Sequence, residues 1–371
     1  MKYYFYLSFL LLALACEKTD PAPIPFPIDP TPIDTAYGYP PRVVYNCLGS
    51  DTIGFEYPTD IPGWKKTLIL TDSNAQAFGI PYFTDEMNGF RFRYGGIIYK
   101  TTNGGQTWKE VYNQPPTYFL HYSFSSPEHG VIACTDDYSN VAVYFLVTYD
   151  GGNTWVRSTS TASNFNFVGK IQFLAPNLGY LSATNDPFGP TIRLYQTIDS
   201  AKTWAPSQGT GQGFNGEFFF QNRDTGYLSS NPYQLFRSID GGLKWASTEL
   251  PIYSLTNILF FDASYGQVYG SGGVAITQSG GNRWAYVSQR PTHFGHFFDD
   301  GSAVLFQSIK YCYSNTTEFF QAFVTTDDFG ATWKVGRMTK SFVTGNHFCF
   351  INERCIIGLV DDGKLYKWTK L

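Results

Sequence analysis

Short runs with period-two alternation of apolar and polar residues, separated by turn residues, recur along most of the chain. Each run is the length of one antiparallel strand, half-buried on one face. A first kind of run opens on a turn and a glycine: Asn88-Gly89-Phe90, His129-Gly130-Val131, Leu178-Gly179-Tyr180, Thr225-Gly226-Tyr227 and Tyr265-Gly266-Gln267. A second kind reads Ile98-Tyr99-Lys100-Thr101, Leu194-Tyr195-Gln196-Thr197 and Leu235-Phe236-Arg237-Ser238. The unit at 297–325 lacks the glycine–aromatic pair but keeps Asp299-Asp300-Gly301.

The second kind runs into an octapeptide of fixed form: Ser/Thr, any residue, Asp, any residue, Gly, any residue, Thr, Trp. It stands without mismatch at 148–155 (TYDGGNTW) and 326–333 (TDDFGATW). Looser copies stand at 101–108 (TTNGGQTW), 197–204 (TIDSAKTW), 238–245 (SIDGGLKW) and 277–284 (TQSGGNRW). A spacing of roughly 40–50 residues is that of one propeller blade. In such a turn the Asp side chain accepts backbone N–H groups two or three residues on. Glycine supplies a backbone angle that other residues reach only with strain. The Trp ring packs back under the turn, and its N–H needs a partner. The residues carrying this local architecture are Asn103 and Trp108, Asp150, Gly152 and Trp155, Asp199 and Trp204, Asp240 and Trp245, Trp284, and Asp328, Gly330 and Trp333.

The octapeptide resembles the Asp-box, or BNR repeat, of the sialidase-like β-propellers. The wider unit, seen in FTDEMNGFRFRYGGIIYKTTNGGQTW at 83–108, is similar to the repeat of the photosystem II assembly and stability factor family. The resemblance covers about residues 60–371. It implies an all-β fold, a β-propeller of four-stranded antiparallel blades. It does not imply an activity, because such folds carry enzymes, receptors and assembly factors alike.

A last unit follows the sixth octapeptide. Phe348-Cys349-Phe350, then 355–359, then Leu365-Tyr366-Lys367 supply three strands, and the chain stops without an octapeptide. Gly63-Trp64-Lys65-Lys66 resembles Thr107-Trp108-Lys109-Glu110, so an N-terminal strand is expected to complete the last blade and close the ring. Closure removes the edge that an open ring would expose. Seven blades are favoured; the alternative is six blades capped by the C-terminal unit. Residues 42–62 match no repeat.

Composition adds class and compartment. Among 371 residues, aromatics are 18% and charged residues 15%, which fits many half-buried strands. The net charge of −4 gives no basic stripe to expect nucleic acid. The expected domains are a signal peptide at 1–15, a proline-rich tether at 16–41 and the propeller at 42–371. The apolar run from Phe5 to Leu14 is shorter than the ~20 residues of a spanning helix. It ends in Ala13-Leu14-Ala15-Cys16, which resembles a bacterial lipobox and implies acylation at Cys16; the other reading is a secretory signal with a chance cysteine. Between Pro21 and Pro41 stand eight prolines, a semi-rigid spacer reaching up to about 60 Å at about 3.1 Å per residue. The expected location is the cell envelope, lipid-anchored, at the outer membrane.

No residue set demands catalysis. The Arg-Ile-Pro motif of sialidases is missing; Arg42-Val43-Val44 does not replace it. The acidic pairs Asp136-Asp137, Asp299-Asp300, Asp327-Asp328 and Asp361-Asp362 fall at turns, whereas glycoside hydrolysis needs carboxyls about 5–9.5 Å apart. His293, His296 and His347 would have to converge to bind a metal; nothing in their spacing requires it. Besides Cys16, the cysteines are 47, 134, 312, 349 and 355. The odd number leaves one unpaired; Cys349 and Cys355 could bridge in an oxidising envelope or stay as buried thiols.

The octapeptides crowd one face. The resemblance implies that ligands use the other, built from connections between blades and between second and third strands. Candidate residues there are Tyr118, Tyr138, Phe188, Phe214, Tyr233, Tyr253, Arg290, His296 and Arg337, with Phe165, Phe167 and Asp136 nearby. Such a neutral aromatic surface suits a glycan or a protein segment. The expectation is a non-catalytic binding or assembly scaffold, monomeric, without cofactor or metal. The alternative is a glycan-active hydrolase, sialidase-like or otherwise, with an atypical site.

Overall fold

The computed structural model describes residues 61, 63–71, 81–93, 95–115, 117–136, 143–158, 165, 167–184, 191–207, 214–230, 234–252, 255–260, 263–270, 273–288, 292–298, 302–313, 316–327, 334–335, 348–360 and 364–371. The strands are β1 (Trp64–Thr71); β2 (Tyr82–Phe83), β3 (Gly89–Arg93), β4 (Ile97–Thr101), β5 (Lys109–Asn113); β6 (Tyr118–Phe124), β7 (Gly130–Thr135), β8 (Val143–Thr148), β9 (Val156–Arg157); β10 (Phe167–Ala175), β11 (Leu178–Thr184), β12 (Arg193–Thr197), β13 (Ala205–Pro206). They continue as β14 (Phe214–Phe220), β15 (Gly226–Ser230), β16 (Gln234–Ser238), β17 (Ala246–Glu249); β18 (Leu255–Phe260), β19 (Gly266–Gly270), β20 (Gly273–Thr277), β21 (Ala285–Ser288); β22 (Thr292–Phe297), β23 (Ala303–Tyr313), β24 (Thr316–Thr326), β25 (Lys334–Val335); β26 (Phe348–Asn352), β27 (Cys355–Val360) and β28 (Lys364–Lys370).

These strands form seven four-stranded antiparallel sheets among the described residues. Six are meanders of consecutive strands; in the remaining one the order is β1-β28-β27-β26. There β1 lies antiparallel on β28, with Trp64 opposite Lys370 and Lys66 opposite Trp368. First strands of successive sheets touch, β6 with β10, β10 with β14, β14 with β18, and β26 with β2. They therefore form the inner wall, and the short fourth strands lie outside. The architecture is a β-propeller of four-stranded antiparallel blades.

One packing unit repeats and explains the glycines that open the second strands. In the pairs Phe83–Gly89, Phe124–Gly130, Phe173–Gly179, Phe220–Gly226 and Phe260–Gly266 a first-strand ring lies flat over its cross-strand glycine. A Cβ on Gly130 would come within 2.4 Å of the Phe124 ring. The same ring meets the Trp that ends the blade's octapeptide edge-on: Phe83–Trp108, Phe124–Trp155, Phe173–Trp204, Phe220–Trp245 and Phe260–Trp284, with centroids 5.9–6.2 Å apart and planes at 74–89°. Edge-to-face contact of this kind is the favoured aromatic geometry. Five of the blades thus carry a phenylalanine clamped between a bare backbone and an indole.

Besides shared apolar clusters, side-chain-to-backbone hydrogen bonds join the blades. Ser123 Oγ accepts the Phe173 N–H (2.8 Å), and the Gln172 amide both accepts from Phe220 N and donates to Phe220 O (2.7 Å each). Glu217 Oε1 accepts the Ile258 N–H at 3.3 Å. The blade holding β1 touches its neighbours on both sides: Phe323 packs on Phe348 and Trp368, and Glu86 accepts from Lys367 at 2.7 Å.

The cysteines answer one open question. Cys134, Cys349 and Cys355 are free thiols, so the Cys349–Cys355 bridge is not formed. In the register Cys349 faces Ile357 and Cys355 faces Asn352, and Cys349 Sγ instead points to the Phe83 carbonyl at 3.8 Å. Burial pushes the Cys349 thiol up to about 11.

Candidate functional site

The tryptophan-ended turns carry a recurrent aspartate. In the turn at 148–155, Asp150 Oδ1 accepts the Thr154 N–H (2.9 Å) and Oδ2 accepts the Thr154 hydroxyl (2.7 Å). Thr148 Oγ1 donates to Asp150 (2.8 Å) and accepts the Gly152 N–H (2.7 Å). The reach extends to four residues; Asp199 also takes the Lys202 N–H three residues on, as expected of an Asx turn, at 3.1 Å. Asp199, Asp240 and Asn103 take the fourth N–H in the same way, at 2.8, 2.9 and 3.0 Å; Ser279 does so with its hydroxyl at 2.9 Å. The indole N–H of Trp108, Trp245 and Trp284 donates to the glycine carbonyl three residues back, at 2.9–3.1 Å. Those of Trp155 and Trp204 have no partner. Four of the turns are also bonded to the first hairpin of their blade: Gly104 to Met87, Gly151 to Glu128, Gly241 to Asp224 and Gly280 to Ser264, all 2.8 Å. Desolvation pushes the Asp150 carboxyl up, but the bonds from Thr154 and Thr148 outweigh it and hold the group at about 2. A carboxylate so saturated has little capacity left for a ligand. Asp328, Gly330 and Trp333 lie outside the described residues.

The opposite face holds a different set. The β3–β4 turn presses on the connection after β5: a Cβ on Gly96 would meet Gln114 O at 2.7 Å. There Thr117 Oγ1 donates to Gln114 O (2.6 Å) and lies 2.9 Å from the Tyr144 hydroxyl. Arg157 lies over the Tyr144 ring, 3.6 Å from its centroid, and pairs with Asp136 at 3.1 Å. The side chains of Arg157 and Asp136 are 58% and 48% exposed. Burial pushes the Tyr144 phenol well up and raises that of Tyr112. Tyr118, half-buried, opens β6 opposite Thr135 beside this group. The arrangement presents an exposed guanidinium and an exposed carboxylate at the surface, held over a phenol and a hydroxyl that are themselves buried and bonded to each other. It can hydrogen-bond and stack.

Of the other residues expected on this face, Phe214 is a correction. It is 7% exposed and packs among Tyr180, Leu194, Phe218, Phe220 and Leu228; Phe165 is likewise fully buried. Inward-pointing rings on a first strand, or just before it, complete the core between blades. His296 sits in β22 opposite Val304. Tyr138, Phe188, Tyr233, Tyr253, Arg290 and Arg337 lie outside the described residues, as does Cys16. Arg157 was not picked out from the sequence; the signal was its charge, opposite to that of Asp136, at the start of a fourth strand.

A second polar set lies on the inner wall. Lys170 in β10 donates to Glu217 in β14, with 26% and 16% of their side chains exposed. Burial raises the Glu217 carboxyl against the pull of Lys170. Burial lowers His121 in β6, assisted by the charge of Lys170. Sequence reading passed over all three, although a charge inside FVGKIQF and FNGEFFF is itself a sign of a paired, inward-facing group. Among the described residues no group of three or more His, Cys, Asp or Glu could hold a metal ion, and no helix is long and apolar enough to cross a membrane. Asp327 pairs with Lys334 and Lys370 at 3.1 and 2.9 Å; Asp137, Asp299, Asp300, Asp361 and Asp362 are outside the described residues.

The class of protein is set by this geometry: a β-propeller with tied turns on one rim and a polar–aromatic surface on the other. No protein-family model matches the sequence, and no curated protein does. Among solved structures the chain is similar to YCF48 bound to D1 peptide, at 18% identity and a TM-score of 0.54, covering 85% of this chain and 98% of that one. It is similar to YCF48 from Cyanidioschyzon merolae at 16% and 0.52, covering 83% and 98%. An ancestral GH74 enzyme follows at 11% and 0.45, covering 68% and 38%. At these identities the likeness is one of fold.

Proposed function

We propose that the protein is a non-catalytic binding or assembly scaffold that holds a protein segment on the face away from the tryptophan-ended turns. The observation that carries the reading is the group Tyr144, Arg157, Asp136 and Thr117, an exposed cation fixed on an aromatic ring beside a carboxylate. A peptide backbone and its side chains offer partners for the exposed Arg157 and Asp136, while the buried Tyr144 and Thr117 hold them in place. A similar propeller is known with a peptide bound, which supports a protein segment over other ligands. The ring in this reading has seven blades, with β1 supplied to β28 as its closing strand; the register of that pair supports it. The tied turns are Asp-boxes with a structural role. Acylation at Cys16 anchors the molecule in the cell envelope through the proline-rich tether.

The test is selection of binders from a random peptide library on the immobilised protein. Affinity of the selected peptides is then compared between wild type and Arg157→Ala. Loss of one charged contact of about 1.4 kcal/mol weakens binding about tenfold, with the melting temperature unchanged. Peptides whose affinity ignores Arg157→Ala refute the site. Turnover of aryl-glycosides by the pure protein, abolished by Asp136→Asn, refutes the non-catalytic reading. Glycan-array binding without any peptide binder moves the ligand class to sugars.

A further inference from the structure

The rim that carries the tied turns also carries exposed apolar side chains, and they recur at one position of the turn. Tyr149, Ile198 and Ile239 hold the second position of the turn in three successive blades and are 57%, 68% and 69% exposed. Leu243, in the third of these turns, is 65% exposed. Other turns place Thr102 and Gln278 at that position. Nothing in the turn needs an apolar residue there, because position two makes none of the hydrogen bonds that close it. Large exposed apolar side chains concentrated on one face mark a contact surface.

The topology says what meets that surface. Trp64, where β1 begins, lies opposite Lys370. Lys370 N donates to Arg354 O, in the β26–β27 hairpin, as Gly151 does to Glu128 in its own blade. Leu371 N donates to Gly63 O at 2.9 Å. The chain therefore enters the propeller on the rim of the tied turns. We propose that this rim is turned to a lipid bilayer, with Tyr149, Ile198 and Ile239 as separate anchors that enter the interface once the acyl group has brought the domain to the surface. The inference rests on the acylation of Cys16. The acyl chains hold the molecule to the membrane stably, and exposed apolar side chains that enter the interface set which rim faces it. Exposed Lys202 and Lys244 in the same turns stand where lipid phosphates would lie. The peptide-binding face then points away from the membrane, toward a partner.

The test uses the full chain, processed in a bacterial host and reconstituted in vesicles of phosphatidylethanolamine and phosphatidylglycerol. Mass spectrometry first reads the acyl group on Cys16. A benzophenone amino acid then replaces Ile198, Ile239 or, on the opposite face, exposed Gln114. Irradiation is expected to give several-fold more lipid adduct at 198 and 239 than at 114. Equal lipid adduct at the three positions overturns the orientation while leaving the anchor intact. Protein adducts at 198 and 239 overturn it in favour of a protein partner on this rim. An unmodified Cys16 removes both the anchor and this inference.

Discussion

At the scale of single residues, the closing of each turn is shared between two side chains. Asp150 collects one N–H and two hydroxyls, and Thr148 takes the Gly152 N–H. Asp150→Ala removes an acceptor of the kind that caps a helix, so a loss of about 1–2 kcal/mol is expected in urea denaturation at pH 7. Asp150→Asn should lose less, because Asn103 does the same work: its Oδ1 accepts Thr107 N and its Nδ2 donates to Thr107 Oγ1 at 2.8 Å. The pH dependence follows from the sign of the shift. The carboxyl is held at about 2, below its unfolded value, so its contribution is complete above the ordinary carboxylate range and is lost as pH falls through the folded value. The gap between wild type and Asp150→Asn should therefore narrow from pH 5 to pH 2. A gap that is flat over that range would mean that the carboxylate charge adds nothing. The octapeptide showed the Asp and the Trp at once. It did not show that the leading Thr or Ser is a working acceptor, because the hydroxyl's partner is fixed by backbone angles. Two of those angles are strained: Ser200 and Ala201, standing where other copies have glycines, have φ of 62° and 63°. Ala201 is tolerated in a core shared with Val131, where a neighbouring blade places Phe90 within 2.3 Å of a Cβ built on Gly152.

At the scale of the element, the blade is held by the triplet of phenylalanine, glycine and tryptophan. Gly130→Ala would drive a methyl into the Phe124 ring, which is itself stacked on Phe90 and edge-on to Trp155. Overpacking of this kind costs about 1–3 kcal/mol. Phe124→Leu in the same chain should return part of that loss, and a double-mutant cycle by thermal unfolding measures the coupling. Additive effects would show that the ring does not sense the glycine. The strands and their order were legible, because alternation, turn residues and the fixed octapeptide agree with one another. The triplet was not: Phe124 is six residues before Gly130, and only the register of β6 on β7 puts them face to face. The ligand face was legible least of all. Aromatic residues before a first strand read alike whether they point to solvent or inward, and Phe214 and Phe165 point inward.

At the scale of the whole molecule, stability depends on how the first strand in sequence meets the last. Trp64 is 7% exposed and shares a core with Ile61, Phe298, Val304, Phe323, Phe348, Ile356 and Trp368. Lys66 adds a cation–π contact, its Nζ 3.9 Å from the Tyr366 ring. This cluster joins the sheet of β22–β25 to the sheet that β1 completes, so it holds two blades and an edge together. Truncating a buried tryptophan costs about 3–5 kcal/mol. The location of the damage distinguishes a closing strand from an ordinary core residue. If β1 seals the ring, Trp64→Ala frees β28 of its outer partner, and amides of residues 364–370 that bond across to β1 should lose hydrogen-exchange protection first. Amides of β15, three sheets away and fully buried, should keep theirs until global unfolding. The freed edge would also offer unpaired N–H and C=O groups to a second molecule, so the same variant should show concentration-dependent association in sedimentation. Protection lost evenly across all sheets, with no association, would mean that Trp64 fills space and that the ring does not depend on its strand.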